Sequence, residues 1–354
     1  LTSLRHQIGQ MLIMGFAGTA VDEESPIAHW LSADSLGGVL LFDYDLIDKR
    51  QGKNLVNQAQ IKQLTHQLNC YAKKFSPSKD APGLFIALDY EGGAVDRLRH
   101  IDGCMVTQNP SELAKLSDDA FRVEIEKMAK TLKSLGFNLN FAPVVDLNLT
   151  EEHGIIGSLG RSFSADPLKV ARTAQKFVEI FAEQGLTCCF KHFPGHGSAI
   201  GDTHHGFVDV TETFKPSELE PYSLLLKQNE FPVMIMTAHV INRQLDGNGL
   251  PATLSYPILT GLLREKLGFN GVIISDDLQM QAIANHYSLD DALCLTINAG
   301  ADMLIFANQL GQITAPDLID RIENLVHKNA ISRSRIEQAY ERIIHLKQAH
   351  WALV

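Results

Sequence analysis

Short runs rich in Val, Ile, Leu and Phe recur eight times along the chain, at 11–16, 37–42, 84–89, 139–145, 187–192, 233–239, 271–276 and 301–306. The runs are continuous, not alternating, which is the pattern of strands buried on both faces in a parallel sheet. Amphipathic segments with helix punctuation lie between them. Asp166-Pro167 opens one that closes at Gly185, Lys215-Pro216 opens another, and a helical pattern over 289–298 stops at Gly300. From Ser332 onward, Ile336, Ala339, Tyr340, Ile343, Ile344 and Leu346 form the apolar stripe of a closing helix. Regular strand–helix alternation without a Pro/Ser-rich linker predicts an α/β fold, a single (β/α)8 TIM barrel. A doubly wound sheet is the alternative, but no Gly-rich dinucleotide fingerprint follows the first strand.

Length alone allows one barrel or two smaller domains in 354 residues. Eight strand–helix units use nearly all of them, so one domain over 1–354 is expected, with the surplus in loops and the last helix. The balance of 31 basic and 41 acidic residues, a net charge of −10, lacks the basic footprint of a nucleic-acid partner. The longest apolar runs, 37–42 and 233–238, fall far short of the roughly 20 residues of a membrane helix, so no membrane insertion is expected. Cys188 and Cys189 are adjacent, and no Cys-x-x-Cys or Cys/His zinc spacing occurs among the five cysteines. Reduced thiols and a cytoplasmic monomer are expected. Because the chain opens on Leu1 without a leader-like pattern, a periplasmic or secreted mature form is the alternative.

In a parallel barrel, chemistry collects where the strands end. Those positions here carry Asp89 and Glu91, Asp146, Lys191 and His192, His239, and Asp276 with Asp277, whereas the strands begin on residues such as Gly37, Leu84 and Val233. The long segment after the fifth strand reads Lys191-His192-Phe193-Pro194-Gly195-His196-Gly197, then Asp202-Thr203-His204-His205. Asp202 and His204, two apart, share one side of an extended loop. A carboxylate beside an imidazole tunes it for acid/base work near neutrality. A hydrogen-bonded loop clasp is the competing reading of that pair.

Lys191 to Gly197 followed by Asp202-Thr203-His204 resembles the signature of the family 3 glycoside hydrolases, in their β-N-acetylglucosaminidase branch, with Thr203 standing for the usual Ser. Asp89-Tyr90-Glu91-Gly92-Gly93 with Arg97, Gly160-Arg161-Ser162-Phe163, and Ser275-Asp276-Asp277-Leu278-Gln279-Met280 resemble three further family blocks in the same order. The resemblance implies a retaining, exo-acting β-N-acetylhexosaminidase that needs neither cofactor nor metal. It implies Asp276 as nucleophile and Asp202 with His204 as acid/base dyad. Asp89, Arg97, Arg161, Lys191 and His192 would hold sugar hydroxyls and the acetamido carbonyl. The implied carbohydrate substrate is a terminal β-linked N-acetylglucosamine of peptidoglycan fragments, in wall turnover or recycling. Family relatives that act as β-glucosidases bring their acid from a second domain, for which the length leaves no room, so His204 is the expected acid.

Several neighbours read as structural. Asp277 faces away from Asp276 by strand alternation and is expected to hold a neighbouring helix. Glu91 reads as support for the turn at Gly92-Gly93, with a catalytic acid as the alternative. His196 and His205 read as loop contacts, and His239 as either a substrate contact or a packed histidine. Asn148-Leu149-Thr150 matches a glycosylation triplet by spacing alone, and Met234 and Met236 read as barrel wall. Three other functions stay open: a metal-dependent hydrolase using His192, His204, His239 and Asp276, a phosphorylase, and a non-catalytic sugar-binding protein.

Overall fold

The apolar runs form eight parallel strands: β1 (Leu12–Met14), β2 (Gly38–Leu40), β3 (Phe85–Leu88), β4 (Leu139–Asn140), β5 (Thr187–Phe193), β6 (Val233–Thr237), β7 (Ile273–Ile274) and β8 (Leu304–Phe306). In this computed structural model, which describes residues 2–73, 77–78, 80–150, 153–202, 206–228 and 230–353, each strand pairs with its sequence neighbour and β8 returns to β1. A parallel bridge between Ile274 and Met303, with Met303 N–H donating to the Ile273 carbonyl at 3.1 Å, joins β7 to the start of β8 and closes the ring. The strands are buried on both faces, so each position can be apolar, and the predicted eight runs and eight-stranded barrel are what the structure holds.

Helices begin where the punctuation places them. The Asp166 side chain accepts from Leu168 N–H, and Pro167 opens the helix Pro167–Glu183. Lys215 precedes a short 3-10 turn, Pro216–Leu219, that runs into the helix Glu220–Lys227. Ser288 caps Leu289–Ala299, which stops at Gly300, and Ser332 caps Arg333–Trp351. That last helix buries the expected stripe from Ile336 to Leu346. No helix among the described residues is long and apolar enough to cross a membrane, and the five cysteines are free thiols.

The last helix also carries a residue that the apolar stripe did not single out. Lys347, fully buried, closes the bottom of the barrel by donating to Gln10 Oε1 and to the carbonyls of Gly37 and Gly83, each at 2.8 Å. Those groups precede β1, β2 and β3, so one ammonium satisfies acceptors from three strand entrances. Burial pushes its ammonium down to about 7. Between about pH 7 and the ordinary lysine value of 10.5 the unfolded chain therefore binds more protons than the folded one. Stability should climb with pH across that window by at most about 1.4 kcal/mol per pH unit. Denaturant unfolding of wild type and Lys347→Met from pH 7 to 10 should show the climb in the wild type alone; equal slopes would refute it.

Candidate active site

The C-terminal ends of the strands enclose a cavity of about 390 Å³. Asp276, Asp202, Asp89, Arg97, Arg161, Lys191 and His192 all line it, although they come from five segments of the chain. His204, with Thr203 and His205, lies outside the described residues.

Each group reaches the cavity for a local reason. Asp89 follows β3 directly. The chain then reverses through a small antiparallel hairpin, Tyr90–Gly92 against Val95–Asp96, which returns Arg97 to the side of Asp89. Gly93 at φ 61° makes that reversal possible, since a Cβ there would sit 1.9 Å from Asn109 Oδ1. Arg97 Nη2 donates to Asp89 Oδ2 at 3.4 Å, and Lys191 Nζ donates to Asp89 Oδ1 at 3.3 Å. Lys191 lies within β5, so its ammonium is fixed by the strand.

Glu91 does not support its own turn. Its carboxylate accepts Arg161 Nε and Nη2 at 2.8 Å each, and Lys191 Nζ lies 2.7 Å from its Oε2. Burial alone would raise the Glu91 carboxyl, but the two cations outweigh it and hold the group well below the usual carboxylate range. Burial likewise opposes the charge on Arg161 and Lys191, and Glu91 keeps both values above their ordinary ones. A group so held is a carboxylate near neutrality and has no proton to donate, which removes the alternative of a Glu91 acid.

Asp146 organises the opposite wall. It follows β4 and is buried, receives His192 Nδ1–H on Oδ2 at 2.8 Å, and accepts the backbone N–H of His196 on Oδ1 at 2.9 Å. The carboxylate orients the His192 ring and leaves Nε2 as its second site. His196, expected as a loop contact, packs edge-on to His192 with ring centroids 5.8 Å apart, and burial pushes its imidazole down to about 4. The loop comes this close because Gly197 has no side chain: a Cβ there would meet the Leu147 carbonyl at 2.0 Å.

Asp276 is half-buried at the end of β7, with Asp277 N–H donating to its Oδ1 at 2.8 Å. Asp277 Oδ1 accepts from the backbone of Ala307, just past β8, and of Gln279, so it ties two strand ends together. His239 resolves to the packed reading: Nε2–H donates to the Asp277 carbonyl and Nδ1 accepts from Thr253, each at 2.7 Å. With both nitrogens engaged it is not placed as the metal-dependent reading requires. Asp202 is half-buried at the cavity edge. Beyond it the chain is held at two points, a stack of Phe207 on His286 with centroids 3.6 Å apart and a parallel pairing of Val208–Asp209 with Val240–Ile241.

A model of the glycosyl hydrolase family 3 N-terminal domain matches residues 3–346. The chain belongs to this family. Among family 3 relatives, β-hexosaminidase A of Pseudoalteromonas piscicida is 32% identical over 341 residues, which cover 91% of this chain and 54% of that protein. The β-hexosaminidase of Idiomarina loihiensis is 30% identical over 346 residues, covering 92% of this chain and 96% of the relative. A solved family 3 β-N-acetylglucosaminidase from Paenibacillus sp. str. FPU-7 superposes with a TM-score of 0.87 at 29% identity, covering 100% of this chain and 63% of that one. This family 3 chain thus spans about half of the first relative and nearly all of the second.

Proposed function

We propose that this chain is a retaining, exo-acting β-N-acetylhexosaminidase that releases terminal β-linked N-acetylglucosamine through a covalent glycosyl-Asp276 intermediate. The observation that carries the reading is the convergence of Asp276, Asp202, Asp89, Arg97, Arg161, Lys191 and His192 on one cavity. Relatives named β-hexosaminidases support the sugar. Asp276 attacks the anomeric carbon while His204, paired with Asp202, protonates the leaving oxygen. The same histidine then takes a proton from water, and the sugar leaves with its configuration kept. Asp89 accepts from sugar hydroxyls; Arg97, Arg161, Lys191 and His192 donate to hydroxyls and the acetamido carbonyl.

The charge of the cavity favours hydrolysis over phosphorolysis. Each described lining cation already faces a carboxylate, Arg97 at Asp89, Arg161 at Glu91 and Lys191 at both, which leaves a poor seat for a phosphate anion. Aryl β-N-acetylglucosaminide should be turned over far faster than aryl β-glucoside, and added inorganic phosphate should yield no sugar 1-phosphate. Equal rates on the two glycosides would sink the sugar assignment. His204→Ala should lose roughly 10²–10⁴-fold on a poor alkyl leaving group and much less on an activated aryl one, which needs no protonation. Equal losses on both would remove His204 as the acid.

A further inference from the structure

We propose that the end of the barrel opposite the active site holds a second carbohydrate site, which takes one neutral pyranose of the N-acetylglucosamine type against Trp351. The choice of sugar rests on the glycosidase reading above. The site itself rests on a separate cavity of about 200 Å³, whose lining includes Asn69, Lys133, Gln184, His350 and Trp351. Asn138, also in its wall, directly precedes β4, and Gln184 lies just ahead of β5. The cavity therefore opens at the strand entrances, away from the strand ends that carry Asp276.

Two neighbours on the last helix build its floor. Trp351 is half-buried; its ring lies against Gly83, where a Cβ would stand 3.0 Å from Cη2, and meets His350 edge-to-face with centroids 4.5 Å apart. An indole held in this way offers a fixed apolar wall to the C–H face of a pyranose. His350 is 2% exposed, with Nδ1 2.7 Å from Thr187 Oγ1. The Thr187 hydroxyl is fully buried and has no other partner among the described residues, so it donates and Nδ1 accepts. Burial, with Lys347 nearby, pushes the imidazole down to about 4, so near neutrality its one ring proton is on Nε2. That N–H has no partner among the described residues and belongs to the cavity wall, a donor with an acceptor still to be supplied.

The rim sets the charge of the ligand. Asn69 lies in the last turn of the helix Gln58–Tyr71, Lys133 in that of Asp118–Leu135, and Gln184 caps Pro167–Glu183. Three helix C-termini therefore meet here, and their last carbonyls carry partial negative charge. They suit the hydroxyl donors of a neutral sugar and oppose an anion, which the ammonium of Lys133 alone would attract. The side chains of Asn69, Lys133 and Gln184 form no hydrogen bond or ion pair among the described residues, which leaves amide and ammonium donors for sugar oxygens. A barrel that binds sugar at both ends can stay on a glycan while its active site turns over.

The chain has two tryptophans, Trp30 and Trp351, so a proton–nitrogen correlation spectrum reports the site directly, with Trp351→Phe assigning its indole N–H signal. Added N-acetylglucosamine should shift the Trp351 signal saturably, with half-saturation on the order of a few millimolar for one small sugar on an open site. Asp89→Ala, which weakens the active site, should leave that titration unchanged. Lys133→Ala combined with Gln184→Ala should weaken it about tenfold while kcat/KM on aryl β-N-acetylglucosaminide stays within about twofold, since two hydrogen bonds are lost far from Asp276. A Trp351 signal that does not move, a shift that Asp89→Ala abolishes, or an equal response to acetate or inorganic phosphate would overturn the proposal. A saturable Trp351 shift in a chain inert towards the aryl N-acetylglucosaminide would support the second site and overturn the glycosidase reading alone.

Discussion

Asp276→Ala is expected to lower kcat on aryl β-N-acetylglucosaminide by on the order of 10⁴-fold or more, because it deletes the group that forms the covalent bond. The fold should tolerate the change. Asp276 is half-buried, and β7 is held by the register of Ile273 and Ile274 with β6. Unfolding temperature should therefore move little while activity collapses. A small anion can occupy the space left by the carboxylate, so azide should restore part of the rate. It attacks from the face that Asp276 occupied, opposite the departing group, so the product should be the α-glycosyl azide, with one inversion in place of two. Near wild-type turnover, or rescue that gives the β-azide, would remove Asp276 as nucleophile.

The strands were legible because a parallel barrel buries both faces, so each strand is a plain apolar run and its last residue must be where polarity begins. That rule found Asp89, Asp146, Lys191, His192 and Asp276 from local pattern alone. It could not find what those groups do to one another. Glu91 reads in sequence as a turn residue because Gly92-Gly93 follows it, whereas its partners Arg161 and Lys191 stand 70 and 100 residues away and meet it only when β3 and β5 are fixed in the ring. Asp146 was visible as a strand-end carboxylate, but its hold on His192 and His196 depends on the path of the loop after β5. Asp277 is a further case: strand alternation turns it away from Asp276, yet both line the cavity, and its bond to the backbone beyond the neighbouring strand is one on which periodicity carries no information.

The clamp around Glu91 leads to the second large effect. Glu91→Gln conserves shape but places an amide against three cationic N–H donors, so buried Arg161 loses its paired carboxylate and Lys191 keeps only Asp89 at 3.3 Å. Breaking a buried pair in this way costs about 3–5 kcal/mol. For a chain of 354 residues that corresponds to a drop in Tm on the order of 5 °C. Because the clamp holds Glu91 below its ordinary value of 4.5, its contribution is fully present above that pH and is lost as pH falls through the lower folded value. The stability gap between wild type and variant should therefore be widest near neutrality and close in strong acid. Activity should fall as well, by roughly 10²-fold in kcat/KM, because Lys191 and Arg161 no longer point where the sugar needs them. The loss should be equal on good and poor leaving groups. A proton donor would behave otherwise, sparing the activated substrate, so a loss confined to poor leaving groups, or a variant as stable as wild type, would overturn the clamp.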